Sequence, residues 1–143
     1  MQKYSIRIFV VSLFILTGFA SCEITDENDY PDSDFRDSFL GTWKCTESEA
    51  RSYQFVYQVN IRKDASNSSR VLLDNFGFIG FDEKPPYGVV AGSTITIPQQ
   101  QVCDDNSITV SGFGIQVNAN TMNWEYQLII GGDKNDYTAV FEK

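Results

Sequence analysis

The sequence predicts an all-β protein, a single small antiparallel up-and-down barrel or meander of about eight strands, following an N-terminal stretch of different character. Three observations predict it. Apolar and polar residues alternate at period two in several windows, helical spacing with caps is nearly absent, and clusters of Gly, Pro, Asn, Asp and Ser bound each window at short intervals. Sequential strands joined by such turns fit a meander, and closing it into a barrel removes exposed edges.

The chain opens with Lys3 and Arg7, then the apolar run IFVVSLFIL, then the mostly small residues Thr17-Gly18-Phe19-Ala20-Ser21 leading to Cys22. Positive, apolar and small-residue regions in that order make residues 1–21 a secretory signal peptide. A cysteine directly after such a segment resembles the lipobox of bacterial lipoproteins. The resemblance implies cleavage before Cys22, a diacylglycerol on its sulfur and a membrane partner reached through that lipid. The family prefers Leu three places before the cysteine, where this chain has Phe19. An uncleaved anchor or an ordinary signal peptide would equally send the domain across the inner membrane.

From residue 22 to 37 there are seven acids and one base, a net charge of −6. Lys3 and Arg7 leave with the signal segment, so of the chain's −8 the part from Ser38 onward carries only −4. Like charges without apolar residues to bury predict an acidic, flexible tether over 22–37 and a barrel domain over 38–143. Acidic residues after a lipidated cysteine resemble the surface-export signal of certain Gram-negative lipoproteins. That implies an outer-membrane lipoprotein displayed at the cell surface, the alternative being a periplasm-facing one.

The strands follow in order. Residues 40–47 form the first, with a helical alternative over 46–52 where Glu47, Glu49, Ala50 and Arg51 are helix formers. Over 53–62, Tyr53, Phe55, Tyr57, Val59 and Ile61 share one face against Gln54, Gln58, Asn60 and Arg62. Shorter candidates are 70–76, 87–91, 93–98 and 107–115. Met122, Trp124, Tyr126, Leu128 and Ile130 alternate with polar residues, and Tyr137, Ala139 and Phe141 repeat the pattern after the hairpin-turn run from Gly131 to Asp136.

The first strand carries Phe39-Leu40-Gly41-Thr42-Trp43, and its Gly-x-Trp resembles the first-strand motif of the lipocalin and avidin-like barrels. The aromatic final strand Tyr137-Thr138-Ala139-Val140-Phe141 adds to the likeness. The resemblance implies a lipocalin-like barrel whose floor is plugged by Trp43. Lipocalins pack a basic residue, usually arginine, over that tryptophan, and this chain has only Lys134 and Lys143 near its end. The alternative fold is an immunoglobulin-like β-sandwich, against which Cys45 and Cys103 have no tryptophan between them.

With Cys22 committed to lipid, Cys45 and Cys103 are an even pair in an oxidising compartment and a candidate disulfide; two buried thiols would read the same way. Inward-facing Trp43, Tyr57, Trp124 and Tyr126 either line a ligand pocket or fill the core, since an eight-stranded barrel is just wide enough for side chains or one small ligand. Phe76, Phe78 and Phe81 read as core residues of a glycine-kinked strand, and Pro85-Pro86-Tyr87 as a stiff, exposed contact loop.

Chemistry is mostly excluded. With no histidine, Ser-His-Asp and Cys-His catalysis and the commonest zinc ligand are absent. Asp104-Asp105-Asn106 and Asp133-Lys134-Asn135-Asp136 lack the spacing of a calcium loop, so no metal and no cofactor is expected. At a net charge of −8 and a pI near 4.4 there is no basic face for nucleic acid. The expectation is a monomeric, non-enzymatic binding or accessory lipoprotein that contacts a protein partner or an extracellular ligand such as a glycan. The alternative is a carrier of a small apolar ligand inside the barrel.

Overall fold

Period-two alternation delivers strands along the whole of the last hundred or so residues. The computed structural model describes residues 33–49 and 54–143. In chain order the strands are β1 (Gly41–Glu49), β2 (Gln54–Lys63), β3 (Arg70–Asp74), β4 (Tyr87–Ala91), β5 (Thr94–Val102), β6 (Ile108–Asn118), β7 (Thr121–Ile130) and β8 (Asp133–Glu142). Each pairs antiparallel with the next, and β1 pairs with β8 to close the barrel. One continuous ring replaces the two packed sheets of an immunoglobulin-like sandwich, so that alternative is set aside. The helical alternative for 46–52 also fails: Thr46, Glu47 and Ser48 are held in ladders with both β2 and β8.

Turn chemistry sets the register. The β7–β8 hairpin is tighter than the six-residue run suggested, with Ile130 opposite Asp133 and only Gly131-Gly132 between them. Their φ values of 61° and 95° are the left-handed pair that a two-residue hairpin requires.

Strand β6 inverts the usual reading of an alternating segment. Phe113, Ile115 and Val117 point outward, and Gly112 and Gly114 point into the barrel. The cause lies on β7, where Tyr126 stands opposite Gly112 and Trp124 opposite Gly114. The Trp124 ring occupies the space above Gly114, and a Cβ built there would lie 2.3 Å from it. Glycine makes room for the rings, and the rings cover the glycines.

The floor is built around Trp43, which is fully buried and donates from Nε1 to the Phe39 carbonyl at 2.7 Å. Phe39 ends a single 3-10 turn, Asp37–Phe39, that crosses under the barrel. Lys143 Nζ sits 4.3 Å from the centre of the Trp43 ring, so a basic side chain from the end of the last strand covers the indole.

The end of the expected tether belongs to this floor. Arg36 is 7% exposed, and its guanidinium donates to the carbonyls of Asn67 and Arg70 at 2.9 and 3.0 Å while pairing with Asp34 at 2.6 Å. Lys63 bridges Asp34 and Asp37 at 3.0 and 2.6 Å. The boundary at residue 38 is therefore corrected: Asp34 to Asp37 are held at the β2–β3 turn, because Arg36 adds its guanidinium to the Asn67 and Arg70 carbonyls, which also accept from backbone N–H groups of that turn. Cys22, the expected tether up to residue 32 and the signal segment lie outside the described residues.

The opposite end is closed by the β3–β4 connection. β3 stops at Asp74, and Phe76 enters the barrel from a 3-10 turn, Phe76–Phe78, rather than from a kinked strand. Its ring meets Trp124 at 5.0 Å, Tyr126 at 4.7 Å and Phe141 at 6.1 Å. Phe78 and Phe81, expected in the core, are 58% and 54% exposed. Left-handed residues at 75, 77 and 78 reverse the chain so sharply that only the first phenylalanine can turn inward.

Candidate functional site

The four aromatics singled out as ligand-lining all face the interior, at different depths. Trp43 is part of the floor; Trp124 lies midway, packed on Phe76 and Phe141; Tyr57 and Tyr126 lie toward the opposite end. All four are buried. Together with Phe76 and Phe141 they fill the space that the strands enclose. Trp124 leaves one polar atom unanswered: its Nε1 has no hydrogen-bond partner among the described residues.

Near Tyr57 and Tyr126 is a polar group absent from the expected set. Glu47, on the inward face of β1, accepts hydrogen bonds at one carboxylate oxygen from both hydroxyls, Tyr57 at 2.8 Å and Tyr126 more closely still. The two hydroxyls are themselves 3.4 Å apart. Burial raises the pKa of both phenols, the mutual contact adding to it at Tyr57 and the Glu47 carboxylate at Tyr126, so they stay neutral donors. Cys45 is beside them, its thiol pushed up to about 12 by burial against an opposing effect of the Tyr57 hydroxyl. A thiol so protonated is a poor nucleophile. Phe55 and Phe78, edge to face with each other at 4.7 Å, cover the Tyr57 ring at 5.7 and 5.5 Å.

Cys45 and Cys103 are both free and buried, which corrects the candidate disulfide. Cys45 is on β1 and Cys103 just past the end of β5, four strands away whichever way the ring is followed. A disulfide needs Cα atoms within about 7 Å, and opposite walls of this barrel do not offer that.

The contact loop is corrected as well. Pro86 is buried and Pro85 and Tyr87 are half-buried. The Pro86 carbonyl accepts from Leu73 N at 3.0 Å, and the Lys84 carbonyl from Cys103 N at 3.1 Å, so the loop is stitched to β3 on one side and to the β5–β6 turn on the other. Tyr87 is clamped in place: the Gln100 side chain bonds both its N–H and its carbonyl, at 3.0 and 2.7 Å, and Arg70 stacks on its ring at 4.1 Å. Gln100, at the point where β5 slips register against β6, thereby ties β5 to β4 beyond the end of their own ladder.

The outer wall presents what the interior does not. Cross-strand pairing places Val56, Thr46, Val140, Asn123 and Ile115 in one row across β2, β1, β8, β7 and β6. Val56, Val140 and Ile115 are 53%, 40% and 44% exposed, and Phe113 and Val117 extend the row along β6. Two clefts of about 550 and 380 Å³ lie on this wall and share Ser48, Phe113, Glu125 and Thr138. A third, of about 500 Å³, lies on β2 to β5 between Arg62, Leu72, Lys84 and Tyr87.

No family model and no curated protein matches the sequence. Solved structures do share the fold. A redesigned β-barrel superposes with a TM-score of 0.53 at 9% identity, over 77% of this chain and 95% of its own. A de novo designed fluorescence-activating β-barrel gives 0.52 at 10% identity, over 77% and 97%. A redesigned barrel bound to DFHBI gives 0.51 at 14%, over 78% and 100%. The chain is a small closed antiparallel β-barrel. At such identities the likeness concerns the path of the backbone alone.

Sequence reasoning missed Glu47 and the outer row. Glu47 shares the parity of Trp43 and Cys45, which marks it as inward-facing. For Phe113 and Ile115 the signal was the pair of glycines alternating with them, opposite two large rings.

Proposed function

We propose that this protein is a non-enzymatic binding or accessory lipoprotein, anchored in the outer membrane through Cys22 and displayed at the cell surface. It engages a protein partner through the outside of its barrel. One observation carries the reading: the interior is occupied by Trp43, Trp124, Phe76 and Phe141, each at most 1% exposed, while an apolar row stands open on the outer wall. Single exposed apolar residues are ordinary, but Val56, Val140, Ile115, Phe113 and Val117 gather on paired strands with Thr46 and Asn123 between them, and such a cluster is what protein interfaces use. Anchoring raises local concentration, so a modest contact area suffices.

The test places a photo-crosslinking amino acid at Ile115, and at Lys134 as control, in the bacterium that makes the protein. A discrete adduct from Ile115, absent from Lys134 and lost on Phe113→Ser with unchanged folding, is the expected result. Equal labelling at both positions would overturn it. Cys22→Ala, analysed in parallel, should abolish lipidation and release the protein from the membrane.

A second reading, carriage of a small ligand within the barrel, draws on the unanswered Trp124 Nε1. Native mass spectrometry decides between them: a bound mass that leaves on denaturation and is reduced by Trp124→Phe supports the carrier, and a bare chain supports the outer-wall reading.

A further inference from the structure

We infer that the β2–β5 wall carries a binding site for an acidic saccharide, a sugar whose ring bears a carboxylate, in the cleft between Arg62, Leu72, Lys84, Pro85, Tyr87 and Gln101. This site is separate from the apolar row and does not depend on it.

The argument begins with unspent hydrogen-bond donors. Arg62 uses only Nε on Asp74, at 3.0 and 3.2 Å, and its two Nη groups bond nothing among the described residues. Lys84 Nζ gives one hydrogen bond, to Asn106 Oδ1 at 2.8 Å, and has two protons left. The amide of Gln101 and the hydroxyl of Tyr87 have no partner among the described residues, and both residues line the cleft. The carboxylate of Asp64 also lines it, but one of its oxygens is taken by the backbone and hydroxyl of Ser66 at 2.8 and 2.6 Å. Arg62 is already paired with Asp74 and Asp64 also lines the cleft, so what the cleft offers a carboxylate is not net positive charge but the free Nη groups of Arg62 and the two spare protons of Lys84.

Shape and rigidity point the same way. Leu72 and Pro85 give the cleft apolar lining, and Gln100, which also lines it, holds the Tyr87 backbone. Arg70, which does not line the cleft, covers the ring's other side. A preorganised ring and apolar lining edged by guanidinium, ammonium, amide and phenol suit a ligand with an apolar face and a rim of oxygens, ending in a carboxylate that Arg62 and Lys84 can share. That is a sugar acid. A peptide is the less suitable occupant, because β2 to β5 are paired on both sides and offer no free edge for an added strand.

The test titrates the full-length protein in detergent with an oligogalacturonate, and with the same oligomer methyl-esterified so that its carboxylates are neutral. Calorimetry should show binding of the acid form that weakens at least tenfold on esterification and falls as salt is raised. Arg62→Gln and Gln101→Ala should each weaken it severalfold with the melting temperature unchanged, and Lys134→Gln should leave it as it was. The Gln101 side chain makes no hydrogen bond among the described residues, so its variant separates binding from folding. Equal affinity for the esterified oligomer would overturn the carboxylate's role. No binding of the acid form, binding only of an acidic peptide run alongside, or indifference to both cleft variants would overturn the site.

Discussion

Gly114 and Trp124 share one volume between two strands. Trp124 is 1% exposed, and the glycine opposite leaves no unoccupied space above its Cα. Gly114→Ala would put a methyl group 2.3 Å from the indole, with strand backbone on both sides. Overpacking of this kind costs about 1 to 3 kcal/mol or more. Chemical denaturation should show a loss at or above that range, much reduced in a Trp124→Leu background, where the added methyl has room. Additive losses would mean that the ring and the glycine are not coupled. Glu47 shows the opposite economy: it gives one oxygen to two phenols and so satisfies both buried hydroxyls at once.

At the level of elements, the strands were legible and two of their inner details were not. Alternation located every strand to within a few residues, and the run containing Gly131-Gly132 marked the last hairpin, because period and turn chemistry are local properties. The face presented by β6 was not local, since it depends on what β7 brings opposite. Nor was the plug between β3 and β4, where three of four consecutive residues from Asn75 to Phe78 take left-handed backbone. Asn75 holds that reversal, donating to the Gln58 carbonyl at 2.8 Å and accepting from Gly80 N at 2.9 Å. Asn75→Ala removes both bonds and a residue tolerant of φ near 61°. We expect a destabilisation of about 2 to 3 kcal/mol, with faster hydrogen exchange at Gly80 than in the wild type. Unchanged protection there would mean that Phe76 alone holds the loop.

At the scale of the whole molecule, the pairs Arg62 with Asp74 and Lys44 with Glu142 lie on the outer face of the barrel, while the thiol of Cys45 and the phenols of Tyr57 and Tyr126 are enclosed. All three enclosed groups have pKa values raised on folding. The unfolded chain therefore gives up these protons first as the solution becomes alkaline. Stability is fully present below pH 9, the ordinary value for the thiol, and declines as pH rises from there toward about 12 for Cys45, with the phenols adding to the decline above pH 10. Urea midpoints taken from pH 8 to 11 should fall steadily, and less steeply for Cys45→Ala; a flat profile would contradict the enclosure of these groups. The sequence foretold aromatic burial from composition and parity. It was silent on the candidate binding walls, because exposure on a closed barrel is decided by which residues the ring sets side by side.

That closure has a topological consequence. β8 returns to β1, and Lys143 reaches the Ser38 carbonyl at 3.4 Å, so head and tail of the barrel meet under the Trp43 floor. The order in which the strands are translated is then a convention of the gene rather than a demand of the architecture. A chain rejoined there by a short linker and reopened between Gly131 and Gly132 would trace the same ring, its ends moved from the base of the barrel to its far rim.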